Sequence, residues 1–143
     1  LPWEYGFTQA GNPMACAAGL AMVEIMVRDD LPANSERIGG LMVDGLKKIE
    51  KDSKLIGDIR GQGLMIGVEL VRDRETKEPA FEETDRLMAA CLDHGLMIGK
   101  TGPVFGSNGN VAKFKPAVNV TEDDAAEMVE LFGRALNDVE ATL

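Results

Sequence analysis

The sequence is poor in the features that would commit it to several large classes of protein. It has two cysteines in 143 residues, Cys16 and Cys91, each inside an apolar helix-like run and without the close pairing of a metal or redox motif. That pattern predicts two buried free thiols, as in a protein of a reducing compartment such as the cytoplasm. Positive charge is scarce: 15 Lys and Arg against 24 Asp and Glu leave a formal charge of −9. No basic run exceeds Lys47-Lys48, so the clustered cations that grip phosphate backbones are missing and nucleic acid is not an expected partner. The one histidine, His94, has no Cys, Asp or Glu cluster beside it at ligand spacing, and its place at the end of a helical pattern predicts helix termination, not a metal site. Apolar runs are short as well. The longest, Met14 to Val27, is interrupted by Glu24 and falls below the roughly 20 residues that span a bilayer, so a membrane is not expected.

What is present describes a folded protein: 45% apolar and 27% charged residues fit an ordinary globular chain long enough for one modest domain with its own core. It opens Leu1-Pro2-Trp3-Glu4-Tyr5, with neither an initiator Met nor a charged-then-apolar leader, and is expected to be part of a longer protein.

Periodicity and capping residues divide the chain into eight elements. Asn12-Pro13 is a strong helix start, because Asn caps orphan N–H groups and Pro needs no donor in the first turn. The helix predicted from Pro13 to about Arg28 is apolar on nearly all sides, with Ala15 to Ala21 uninterrupted by a polar side chain other than Cys16, and so must be covered on all sides. Leu31-Pro32 marks a break. A second, amphipathic helix follows, with Ile38, Leu41, Met42, Gly45 and Ile49 on its inner face. Its Gly39-Gly40 and Gly45 cost about 1 kcal/mol each relative to Ala, which implies a close contact or a local irregularity.

Beyond Ser53 the pattern changes to a strand from Ile56, a Gly-rich turn around Gly61-Gln62-Gly63, and a mostly buried strand from Leu64 to Val71, read as an antiparallel hairpin. Phe81, Thr84, Leu87, Met88 and Cys91 then recur at helical spacing until Gly95. Two short strands are expected at Leu96 to Gly99 and Val111 to Lys115, joined by a Gly-bearing loop from Lys100 to Asn110. Thr121 caps a closing helix whose first turn holds Glu122, Asp123 and Asp124 and whose stripe is Ala125, Met128, Val129, Phe132, Leu136 and Val139. The order α-α-β-β-α-β-β-α predicts an α+β fold with helices packed on a small, mainly antiparallel sheet.

Four segments in order carry a family resemblance. Gly6-Phe7-Thr8-Gln9-Ala10-Gly11-Asn12-Pro13 through Ala21, Gly57-Asp58-Ile59-Arg60-Gly61-Gln62-Gly63 through Leu70, His94 through Lys100, and Lys113-Phe114-Lys115-Pro116 through Thr121 together resemble the C-terminal part of class III aminotransferases. The resemblance is closest to the alanine–glyoxylate and related omega-aminotransferase branch. It implies the small C-terminal domain of a fold-type-I enzyme over residues 31–143, with residues 1–30 forming the end of the large cofactor domain and a bridging helix. It also implies a homodimer in which pyridoxal 5'-phosphate forms a Schiff base with a lysine and passes an amino group from an amino acid or amine to a 2-oxo acid, the cofactor acting as electron sink.

Residue by residue, the resemblance implies that Thr8 reaches the cofactor phosphate of the neighbouring subunit; a bland alternative is a turn residue before a helix. Lys113 stands where many members have an arginine that pairs with a substrate carboxylate. A lysine offers a point charge in place of a planar fork, so Lys113 either binds the carboxylate differently or is an exposed strand residue. Arg60 matches a position that is structural or lies near the substrate entrance. The Schiff-base lysine belongs upstream of Thr8: none of the lysines at 47, 48, 51, 54, 77, 100, 113 and 115 stands in its context, so this chain without the missing N-terminal large domain is expected to be inactive. A mutase or racemase of the same class, or a non-catalytic binding or assembly module on the same fold, are the alternative functions.

Overall fold

A computed structural model describes residues 11–101 and 109–143. Thr8 and most of the loop from Lys100 to Asn110 therefore lie outside the described residues. The elements are α1 (Pro13–Arg28), α2 (Leu31–Asp52), β1 (Ile56–Gln62), β2 (Met65–Leu70), α3 (Phe81–Asp93), β3 (Gly99–Lys100), β4 (Val111–Phe114) and α4 (Glu122–Glu140). Their order is the expected one, and the fold is α+β.

Helix ends follow from local chemistry. Asn12 caps α1 with its side-chain oxygen, which accepts from Met14 N at 3.0 Å and Ala15 N at 3.3 Å. The break between α1 and α2 falls at Asp29-Asp30, where Asp30 takes a left-handed conformation (φ 47°); Leu31 and Pro32, expected to be the break, instead form the first turn of α2, where a proline's missing N–H costs nothing. At α4, Thr121 Oγ1 accepts from Asp124 N at 3.2 Å while Asp124 Oδ2 accepts from Thr121 N at 3.0 Å, a reciprocal capping box. The last carbonyls of α2 are satisfied by Arg74, which donates to Glu50 O at 2.9 Å, Ser53 O at 2.8 Å and, just beyond, Ile56 O at 3.0 Å.

All strand pairs are antiparallel, in the order β1-β2-β4-β3. The β1–β2 hairpin turns through Gly63-Leu64, with Gln62 opposite Met65. Here Gly39 finds its reason: a Cβ on it would lie 2.1 Å from the carbonyl oxygen of Gly63, so the hairpin turn rests directly on the backbone of α2. Gly45 similarly faces Val129 of α4, whereas Gly40 touches nothing and stands exposed.

Alternation along the strands divides the sheet into two faces. Ile59, Ile66, Val68, Ala112 and Phe114 point into one core with Ile38, Met42 and Leu46 of α2, Leu87 and Cys91 of α3, and Phe132, Ala135 and Leu136 of α4. Phe114 and Phe132 meet edge to face with ring centroids 5.3 Å apart. Arg60, Gly67, Glu69 and Lys113 occupy the opposite face, which no described element covers.

Two further expectations need correction. The third strand is Gly99–Lys100, not Leu96 to Gly99: Leu96 is buried beneath the sheet and its N–H bonds Cys91 O at 2.8 Å, so Leu96 closes the end of α3 and strand pairing begins only at Gly99. Cys91 is buried as expected, which pushes its thiol up to about 11; Cys16 is exposed, because α1 has no buried residue at all. The inner stripe of α3 includes Glu83, only 8% exposed. Arg72 reaches it with Nε to Oε1 at 2.8 Å, and although burial alone would raise the carboxyl, this bond and charge hold it below the usual carboxylate range.

Candidate functional site

The uncovered sheet face is where the sequence-singled residues of the folded part meet. Its central row runs across all four strands: Arg60 of β1 opposite Gly67 of β2, Gly67 opposite Lys113 of β4, and Lys113 opposite Gly99 of β3. Lys113 reaches this face because its strand neighbours Ala112 and Phe114 are core residues at 0% and 1% exposure, and a strand with two anchored inward positions fixes the outward one between them. The lysine is half-buried.

The two cations of the row differ in what they can do. Arg60 Nη1 donates to Asp58 Oδ2 at 2.6 Å and to Glu69 Oε2 at 2.5 Å; both carboxylates lie on its own face, since Asp58 is opposite Glu69 in the register. Hydrogen bonds first to Asp58 and then to Glu69 raise the guanidinium above its ordinary value. Two carboxylates offset its charge at Nη1, and its bond to Glu69 ties β1 to β2. Lys113 makes no ion pair with a described residue, whereas Lys100, one strand over, pairs with Asp85 of α3. Among the described residues, Lys113 is thus a cation of this face without an ion-pair partner. A groove of about 560 Å³ whose lining includes Met97, Gly99, Lys113 and Pro116 adjoins it, within the size range of small-ligand sites.

Helix starts often bind anions through their free N–H groups, and Asn12, the cap of α1, lies four residues past Thr8. Its donors are already taken. Pro13 has none, Met14 and Ala15 donate to the Asn12 side chain, and Cys16 N donates to Asn12 O at 2.9 Å. The described residues therefore do not by themselves fit a cofactor phosphate, and any contact by Thr8 lies outside them. Nor do the lysines form a cofactor site: apart from Lys100 and Lys113 they are exposed.

His94 lies where helix termination placed it, as the C-cap of α3, and its Nε2 is 2.7 Å from Asp138 Oδ2 of α4. Among the described residues no group of three or more His, Cys, Asp or Glu side chains is placed to hold a metal ion, and no helix is long and apolar enough to cross a membrane. Sequence reasoning found Lys113 and Arg60 but missed the glycines that flank Lys113, because their adjacency is set by pairing between strands more than 10 residues apart.

Comparison with known proteins covers nearly the whole chain. The family model for aminotransferase class-III matches residues 1–136. The chain is 37% identical over 139 residues to a leucine/methionine racemase of Thermococcus litoralis, covering 97% of this chain and 30% of that protein. It is 39% identical over 127 residues to alanine–glyoxylate aminotransferase 2 homolog 2, mitochondrial, of Arabidopsis thaliana, covering 89% of this chain and 26% of that protein. Among solved structures, a Bacillus anthracis aminotransferase superposes with a TM-score of 0.88 at 33% identity, over 95% of this chain and 30% of that one. The chain thus spans less than a third of the length of these relatives.

Proposed function

We propose, from the premise that the chain belongs to the class-III aminotransferase family, that it is the C-terminal part of a pyridoxal-phosphate-dependent transaminase. The full-length protein would move an amino group from an amino acid or amine to a 2-oxo acid. What carries this reading is the family match, which runs unbroken through α1, the hairpin and the strand bearing Lys113.

In this reading residues 1–30 end the large cofactor domain and bridge to a small domain of residues 31–143. Two features support the division: Asp30 interrupts the helices with a left-handed turn, and α1 contributes no buried residue to the core that α2 through α4 build. An apolar helix left uncovered fits a chain whose remaining partner surface, the large domain or a second subunit of a homodimer, lies outside the described residues. Pyridoxal phosphate, when bound, supplies the electron sink for the chemistry at the amino-bearing carbon. The large domain would hold most of it, with Thr8 reaching the phosphate of the neighbouring subunit.

This chain's own contribution is recognition. Lys113 would neutralise the carboxylate of the amino or 2-oxo acid, as a point charge without the two-pronged geometry of a guanidinium. Arg60, locked between Asp58 and Glu69, would keep that face rigid. Racemisation is the second reading, favoured by the 37% identity to the Thermococcus litoralis racemase. The full-length protein with pyridoxal phosphate, L-alanine and 2-oxobutyrate separates the two. Pyruvate and 2-aminobutyrate formed in equal amounts would support amino transfer. D-alanine formed without an oxo acid, and no pyruvate, would replace it with racemisation.

A further inference from the structure

Helices α2 and α4 run side by side in the same direction. From start to end they are joined by the Arg37–Glu122 ion pair, by Gly45 against Val129, by Ile49 against Gly133, and by Ser53 Oγ donating to Glu140 Oε1 at 2.6 Å. At the two middle levels the helices close tightly: a Cβ on Gly45 would lie 3.0 Å from Val129 Cγ1, and one on Gly133 3.2 Å from Ile49 Cδ1. On the outer side the seam opens into a groove of about 840 Å³ lined wholly by α2 and α4, with Leu41, Ile49, Ala126 and Val129 among its apolar residues. Leu41 stands 47% exposed beside it.

Charge along the rim is ordered. Glu122 is taken by Arg37 and Glu130 by Arg134, which leaves Asp44, Asp123 and Lys48 as rim charges without an ion pair to a described residue. Asp123 lies at the Arg37 end, Asp44 just before Gly45, and Lys48 past Gly45 toward Ser53. The groove thus runs from acidic to basic, and the dipoles of its two parallel helices add, so it best receives a helix pair running the opposite way. The chain itself offers such a pair. A two-fold axis at the Gly45–Val129 contact exchanges the level of Leu41 with that of Ile49 and Gly133, each about 6 Å from the axis along the helices. The leucine of each copy then falls where Gly133 sends no side chain outward, and Lys48 of each falls between Asp44 and Asp123 of the other.

We infer that this groove is the docking site of a second copy of the chain, antiparallel across a two-fold axis, with Leu41 as the apolar anchor and Lys48 pairing with Asp44 and Asp123 across the contact. A two-fold contact uses the same patch on both copies, so knob and hollow, acid and base must all be present on one surface at matching spacing, as they are here. No residue of α1 lines the groove. The contact is therefore additional to whatever covers that helix, and joins dimers formed through α1 into assemblies of four chains. It does not depend on the reaction the full-length protein catalyses.

The test is sedimentation of the full-length protein over a range of concentrations, unsubstituted and with Leu41→Glu, Asp44→Lys, Lys48→Glu and the two charge changes together. Leu41→Glu is expected to weaken self-association about 30-fold or more and to halve the assembly's mass at concentrations where the unsubstituted protein is fully associated, with the helical signal in circular dichroism retained because the residue is exposed. Asp44→Lys and Lys48→Glu should each weaken association, and the double variant should regain it, since the two-fold relation exchanges the two charges between copies. A mass that none of the variants changes overturns the inference and leaves the groove to a different protein or to a small apolar ligand. A double variant that associates no better than either single one also overturns it, because the charges would then not face each other across a two-fold axis.

Discussion

Helices α1 and α4 are similar in length, 16 and 19 residues, yet they relate to this chain in opposite ways. The amphipathic α4 buries Ala125, Phe132, Ala135, Leu136 and Val139. The more apolar α1 buries nothing, and leaves Met14 82% and Val27 77% exposed. Hydrophobic content alone does not put a helix into a core; the stripe must coincide with a surface offered by the same chain. In α4 the stripe meets α2 and α3 and completes a closed layer. In α1 the apolar residues encircle the helix, so no single neighbour could cover them, and the cover must come from several sides.

That contrast can be broken at its strongest point first. Phe132 is fully buried and packs edge to face on Phe114, so Phe132→Ala is expected to destabilise the chain by about 3–5 kcal/mol, read as a lowered urea midpoint with the slope retained. Thr121→Ala removes one half of the capping box and should cost about 1 kcal/mol. It should also flatten the acid limb of the stability curve. Bonds from Thr121 hold the Asp124 carboxyl below its usual value, so the stabilisation they bring is full above the unfolded carboxylate pKa and is lost as pH falls through the lower folded one. Denaturation midpoints between pH 6 and pH 3 check both statements. The smallest stability change belongs to α1: Val27→Ser is expected to stay within about 0.5 kcal/mol, while self-association in sedimentation and dye binding at the helix surface decrease. A loss of stability comparable to that of Phe132→Ala would mean that α1 is part of this chain's core after all.

Much of this was legible in the sequence because it depends on neighbours in the chain. Asn12-Pro13, Thr121 with Asp124, and the turn at Gly63 each carry their cause within a few residues, and each lies where local chemistry placed it. Residues whose role depends on distant partners were not legible. Glu83 lies outside the apolar stripe that the spacing predicts for α3, and only Arg72, 11 residues earlier, explains its burial. The short third strand begins at Gly99, not Leu96, because the end of α3 draws Leu96 into the core. Cys16 sits in an apolar run that predicts burial, but the surface that would bury it is not within the described residues. At the candidate site, Lys113 was visible as a cation in a strand, whereas its flanking by Gly67 and Gly99 emerged only from the register of three strands.

Amino transfer by the full-length protein is followed most directly in its visible spectrum. With pyridoxal phosphate bound, the protein should show a visible absorption band that L-alanine removes and pyruvate restores, while the 143-residue chain alone shows no such band. A full-length protein that binds no cofactor, or whose band does not respond to L-alanine, would contradict the account and leave a fold that has kept its shape without the chemistry.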